Sequence, residues 1–79
     1  MDDHRPVALP DGSVVHSDPE ILSGVPVFVG TRVPVQTLVE YLEGGYSVDG
    51  FLDNFPTVRR EQVNAFLEQA MQALLARVA

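Results

Sequence analysis

The 79-residue sequence contains no cysteine, no tryptophan and no lysine, and these absences narrow what the chain can be. Without cysteine, a disulfide framework, a thiol nucleophile and a thiolate metal site are excluded. No apolar run approaches the roughly 18 to 20 residues that cross a bilayer, and the acidic start does not resemble a signal peptide. The sequence therefore predicts a soluble cytoplasmic domain with no membrane contact.

The chain is strongly acidic: it has eleven Asp and Glu residues but only five Arg, and its net charge is −6. Proteins that hold nucleic acid through its phosphates usually present a basic face, so the balance favours a basic protein partner. Hydrophobic residues make up 46% of the chain and charged residues 20%, which is a globular composition. We expect one domain over residues 1–79, with a small core that a partner often completes.

The chain divides into a strand and turn region at residues 7–33 and a helical region at residues 34–78. Turn-forming residues at 10–13 separate two apolar stretches, so residues 7–16 resemble a β-hairpin. The apolar run 25–29 contains a proline and is expected to be a sheet-edge strand. The predicted fold class is α+β and mostly α. A three-helix, helix-turn-helix or winged-helix-like core follows a short N-terminal β-hairpin or strands.

Each helix of the second region has its own signals. Pro34 is expected to open the first helix, which should stop at the two glycines after residue 43. Ser47 is expected to cap a short second helix. The third should cover about residues 59–78, because its apolar positions keep a helical period throughout.

The third helix has more apolar surface than one small core can cover. Its apolar positions span roughly 200° of the helical wheel, against the 100° or so needed to face one core. We expect four of its residues to pack against a second copy of the chain: Met71, Leu74, Leu75 and Val78. The alternative is that this end of the helix packs on the N-terminal strands of its own chain.

No pattern of side chains indicates a catalytic or metal site. The two histidines, His4 and His16, lack further ligands at metal-binding spacing. Ser13, His16 and Asp18 have the residue types of a catalytic triad, but a triad is defined by geometry, and structural roles are commoner for such a cluster. We therefore expect no enzymatic activity, no metal and no cofactor.

The start of the third helix is a candidate DNA-binding site. A short helix, a turn and a longer helix are the plan of helix-turn-helix domains, in which the last helix enters the major groove. Four residues are candidates for DNA contact: Arg59, Arg60, Gln62 and Asn64. Arg suits guanine or phosphate, and Gln and Asn can bond adenine. The alternative is an ordinary solvated first turn.

Gly30, Thr31 and Arg32 form a second candidate, just before the first helix. Free N–H groups at a helix start favour anions, and an arginine there could clamp a phosphate or carboxylate. We favour the structural alternative, in which Gly30 permits a sharp turn and Arg32 pairs with an acidic residue of the first helix or of a partner.

Residues 18–35 read DPEILSGVPVFVGTRVPV, which resembles the signature of a bacterial and archaeal family named domain of unknown function 433. The likeness covers about residues 15–70. Its motif residues are Gly24, Pro26, Gly30, Thr31, Arg32 and Pro34. Family members resemble helix-turn-helix or winged-helix domains. Many are similar to antitoxins of type II toxin–antitoxin pairs, beside a toxin with a PIN-like ribonuclease fold.

Several departures from the family pattern bear on DNA binding. Val25 and Val29 stand where the family often has Lys and Arg, so two positive charges are missing. Gly50 stands where a Glu would complete a capping box in the second helix. Arg59 and Arg60 replace the usual start of the third helix and add positive charge at its reading end.

The resemblance implies an antitoxin-like protein that neutralises a PIN-like ribonuclease toxin and can also bind its own operator DNA. The apolar arc of the third helix adds the expectation that it does so as a homodimer. It carries over no catalytic residues. A PIN-like active site is a metal-binding carboxylate cluster, so an arginine would complement it, and Arg77 is a candidate. The alternative is a stand-alone helix-turn-helix transcriptional regulator without a toxin partner, against which the acidic first half argues.

Overall fold

The structure, a computed structural model, describes residues 6–78. Its elements follow the chain in the order β1 (Val15–His16), a 3-10 turn (Leu22–Gly24), β2 (Val27–Phe28), α1 (Val35–Glu43), α2 (Val48–Asn54) and α3 (Arg60–Val78). The predicted α+β fold, mostly helical with the strand region before three helices, is confirmed.

β1 and β2 pair in an antiparallel sheet, with Val15 opposite Phe28. On its other side, β2 is bridged through Val27 to Pro34. The Phe28 N–H also donates to the Val33 carbonyl oxygen at 3.0 Å. β2 therefore lies between β1 and the segment that leads into α1, a more enclosed position than the expected sheet edge.

The predicted hairpin over residues 7–16 is wrong in its pairing, because β1 pairs with β2 and residues 7–9 form no strand. The expected turn between them does form. Gly12 N–H donates to the Leu9 carbonyl oxygen, and Leu9 N–H donates to that of Ser13, both at 2.8 Å. Ser13 N–H also donates to the Asp11 carboxylate at 2.9 Å. This bond holds the pKa of Asp11 below its ordinary value.

The core is built around β2. The side chains buried to below 2% exposure are Phe28, Phe51, Leu38, Gln62, Val27 and Val63. The Phe28 ring lies 6.3 Å from that of Phe51 in α2 and 5.9 Å from that of Phe66 in α3, centroid to centroid. Each such aromatic pair stabilises the fold by about 0.5–1.5 kcal/mol in addition to the effect of its buried area. One side chain of the sheet thus holds two of the helices in place.

The helix ends follow their sequence signals. Pro34 is the N-cap of α1, one position before the first helical residue, and Gly44 is its C-cap. The Ser47 hydroxyl accepts a hydrogen bond from the Gly50 N–H at 3.0 Å, so the predicted cap of α2 is confirmed. α3 begins one residue later than expected, at Arg60.

Candidate interaction surfaces

The C-terminal half of α3 carries an exposed apolar row, here called the α3 seam. Its members and their exposed fractions are Leu67 39%, Met71 48%, Leu74 61%, Leu75 54% and Val78 73%. Spacings of three and four residues place them on one helix face. The alternative that this end packs on the N-terminal strands is therefore wrong within residues 6–78. Packing on a second copy stays a prediction.

Gln62 is a structural residue, although the sequence suggested that it contacts DNA. Its side chain is 1% exposed. The amide nitrogen donates to the carbonyl oxygens of Val29 at 2.8 Å and Val7 at 3.1 Å, and the amide oxygen accepts from Arg59 N–H at 3.0 Å. The prediction for Gln62 is wrong, because no group of the side chain is left to read a base. Gln62 stands four residues before the core-facing Phe66, and this spacing was the sequence signal that Gln62 also faces the core.

The other three candidates for DNA contact, Arg59, Arg60 and Asn64, lie exposed at the start of α3. Arg60 forms an ion pair with Asp49, the acidic residue in the first turn of α2. The two side chains are 57% and 74% exposed, so the pair contributes about 0–1 kcal/mol and weakens in salt. Glu61 follows Arg60 in sequence, so two arginines and two carboxylates lie in this region and their formal charges sum to zero.

The motif residues Gly30, Thr31 and Arg32 form a tight turn after β2. Gly30 has φ +78°, so the predicted sharp turn is confirmed. Thr31 is buried, and its hydroxyl donates to the Phe28 carbonyl oxygen at 2.8 Å and accepts from Val33 N–H at 3.0 Å. Arg32 is exposed and forms no hydrogen bond or ion pair with another described residue. Of the two expected pairings of Arg32, the one with an acidic residue of α1 is therefore wrong, and the one with an acidic residue of a partner stays a prediction.

Beside this turn lies a concave surface of about 650 Å³. Its polar lining includes Arg32, His16 and Thr57, and none of the residues between 6 and 78 that line it is acidic. The His16 Nε2 atom is buried and has no hydrogen-bond partner within the described chain. Although the protein is acidic overall, the described residues of this surface carry only positive or neutral side chains.

The remaining candidates form no metal-binding cluster within residues 6–78. There, no three His, Cys, Asp or Glu residues could together hold a metal ion. The Asp18 carboxylate accepts a hydrogen bond from the Glu20 N–H at 2.9 Å and so caps a local turn. His4 lies outside the described residues. None of the helices in this part of the chain has the length and apolarity to span a membrane.

Comparisons with known proteins show which family the chain belongs to. The uncharacterized protein y4eO of Sinorhizobium fredii (strain NBRC 101917 / NGR234) is 40% identical over 50 residues, which are 63% of this chain and 23% of that protein. The chain thus spans under a quarter of the length of this relative. No solved structure matches the present chain. The model of a family described as Protein of unknown function (DUF433) matches residues 15–70, which include both strands, α1, α2 and the first half of α3, and the chain belongs to that family.

Proposed function

We propose that the protein is an antitoxin-like interaction protein, which as a homodimer binds and occludes a PIN-like ribonuclease toxin. The α3 seam is the observation that supports this most directly. It presents five apolar side chains on one face of a helix, and contiguous exposed apolar surface marks sites of protein–protein contact. A chain of this size buries only about 60% of its unfolded surface, so a partner adds substantially to its core.

Arg32 is the residue that we assign to the cleft of the toxin. It projects from a turn that the buried Thr31 fixes with two hydrogen bonds. Among residues 6–78, no acidic residue lines the surface beside it. A PIN-like active site is a carboxylate cluster, which a guanidinium can bind through two parallel hydrogen bonds. Arg77, the candidate from the sequence, neighbours the α3 seam, where a second copy would cover it.

Operator binding is the second activity that we propose, through Arg59, Arg60 and Asn64. These side chains are exposed at the start of α3, the end of the last helix that helix-turn-helix proteins place in the major groove. Asp49 and Glu61 lie beside them, and their negative charges repel a phosphate backbone. We therefore expect weak binding that depends steeply on salt concentration.

Purification of the tagged protein from its native host tests the toxin assignment. The experiment is run at low salt, with and without nuclease, and is read by mass spectrometry and by the ratio of absorbance at 260 and 280 nm. We expect a PIN-like ribonuclease at equal stoichiometry in both eluates. Addition of the purified chain should then stop its RNA cleavage. Nucleic acid without a protein partner would instead identify a stand-alone regulator.

Arg32→Ala should abolish inhibition of the ribonuclease and leave the fold intact, because the side chain is exposed. Arg32→Lys should restore little, since an ammonium cannot form the two parallel bonds. Arg77→Ala is the matched control and should inhibit normally at concentrations where the dimer persists. Full inhibition by the Arg32→Ala variant would show that Arg32 does not bind in the cleft of the toxin.

The operator assignment is tested with the double variant Arg59→Ala and Arg60→Ala on a fragment of the protein's own promoter. Loss of two phosphate contacts should flatten the slope of log affinity against log salt by about 2. Asn64→Ala should weaken binding and leave that slope unchanged. An unchanged slope in the double variant would exclude the two arginines from the DNA contact.

A further inference from the structure

A groove of about 330 Å³ lies between α1 and the extended segment before β2. We call it the α1 groove. Val35 and Val39 line it from α1, and Val25 and Pro26 line it from the extended segment. Val25 is 41% exposed and Val39 is 37% exposed. The groove is therefore an apolar surface that the described part of the chain leaves uncovered.

The rim of the α1 groove is acidic. Glu40 and Glu43 line it from the last turn of α1, in which no basic residue stands. The C-terminal end of a helix carries a partial negative charge of its own. Glu40 accepts a hydrogen bond from the Gln36 amide at 3.1 Å, whereas Glu43 has no such bond or ion pair within residues 6–78. A partner that brings a cation to this end would relieve an unfavourable concentration of negative charge.

The α3 seam has the complementary properties. Arg77 is the basic residue of the last turn of α3, and it lies one turn after Leu74, on the flank of the seam. We propose that the α3 seam of one copy docks into the α1 groove of a second copy, with Arg77 placed against Glu40 and Glu43. This inference rests on the homodimer of the proposed function and supplies the surface that the seam contacts.

The C-terminal part of the seam has about the length of the groove. At 1.5 Å per residue, the seam rises about 10 Å from Met71 to Val78, and the α1 wall rises about 12 Å from Val35 to Glu43, so that Leu67 extends the seam beyond the groove. With Arg77 at the Glu43 end, the docked α3 runs in the same direction as α1. Each copy has one seam and one groove, so a two-fold axis generates two identical contacts, the commonest arrangement in homodimers.

Engineered cysteines test the contact directly, because the natural chain has none. Val39→Cys and Leu74→Cys proteins are mixed, oxidised gently and analysed by mass. We expect a disulfide between the two different variants. Glu61→Cys mixed with Leu74→Cys is the control for random collision and should cross-link slowly. If Leu74→Cys alone cross-links as fast as the mixture, the seam packs on a second seam and the proposal is wrong.

Charge reversal tests the polar part of the contact. Arg77→Glu should raise the dissociation constant of the dimer about tenfold at low salt, measured by analytical ultracentrifugation. Glu40→Arg with Glu43→Arg should have a similar effect, and the combination of all three changes should restore dimerisation. All three side chains are exposed, so circular dichroism should show an unchanged fold in each variant.

A monomer at micromolar concentration, or charge reversals without effect, would overturn the docking. Charge reversals without effect would leave the proposed function in place, whereas a monomer would also refute its homodimer. In both cases the contact of Arg32 with the toxin is tested separately, by inhibition of RNA cleavage. Conversely, an intact dimer that captures no ribonuclease would refute the proposed function and leave the docking in place.

Discussion

Replacement of Gln62 by methionine is expected to lower the free energy of unfolding by about 3 kcal/mol. Methionine has a similar length and an unbranched chain, so the substitution leaves little empty space. The change removes the hydrogen bonds to Val29, Val7 and the Arg59 N–H, which are 2.8, 3.1 and 3.0 Å long. The effect therefore reports polar contacts and not lost packing.

The magnitude follows from the burial of each partner. The hydrogen bond to the Val29 carbonyl oxygen is buried, and an unsatisfied buried acceptor costs about 1–3 kcal/mol. The bonds to Val7 and Arg59 are part-buried, so water replaces Gln62 there at a cost of about 0.5–1.5 kcal/mol each. For a domain of this size, a loss of about 3 kcal/mol lowers the melting temperature by about 12–24 °C.

Gln69→Met is the matched control. Gln69 donates a hydrogen bond to the Gly12 carbonyl oxygen at 3.0 Å, also between α3 and the N-terminal segment, but this bond is exposed. Its loss should cost about 0.5 kcal/mol or less. Urea unfolding, followed by circular dichroism at equal protein concentration, compares the two variants. If their stabilities differ by less than about 1 kcal/mol, the buried amide does not anchor the N-terminal segment.

Three smaller effects are also expected. Gly50→Ala should raise the stability by about 0.5–1 kcal/mol in thermal melts, because the nearest atom to an added Cβ is the Ser47 hydroxyl oxygen at 3.5 Å. Thr31→Val keeps the side-chain shape but removes two buried hydrogen bonds, so unfolding in urea should show a loss of about 1–3 kcal/mol. The pKa of Asp11, measured by NMR, should lie below 3.8 in the folded protein and return toward 3.8 in urea, because the Ser13 N–H stabilises its carboxylate. Since the folded pKa is the lower one, this stabilisation is present above the unfolded pKa and is lost as the pH falls through the folded pKa.

Local signals were sufficient for the helices. Ser47 caps α2 through an N–H three residues away, and Pro34 fixes the start of α1 through its own ring. Such interactions involve neighbours in the chain, so residue type and spacing reveal them. The exposed end of α3 could likewise be predicted, because its apolar arc is wider than a core of this size can cover.

Contacts between distant segments could not be predicted in the same way. The turn at residues 10–13 was expected to close a hairpin, yet β1 pairs with β2, whose Phe28 is buried against α2 and α3. Gln62 looked like a solvated residue in the first turn of a helix. Its burial depends on Val7 and Val29, which lie 55 and 33 positions away in sequence. No local pattern specifies which strand or loop covers such a residue.

α3 passes from the core into solvent along a single 19-residue helix, from the fully buried Val63 to Val78 at 73% exposure. Helices shorter than about 12–15 residues are marginal in water when nothing packs against them. Amide hydrogens of the last turns should therefore exchange with deuterium through local fraying, whereas those near Val63 should exchange only when the whole domain unfolds. Protection from exchange would then range, within this one helix, from the level of local fraying to that of global unfolding. If a partner slows exchange in the last turns alone, it docks on that part of the helix.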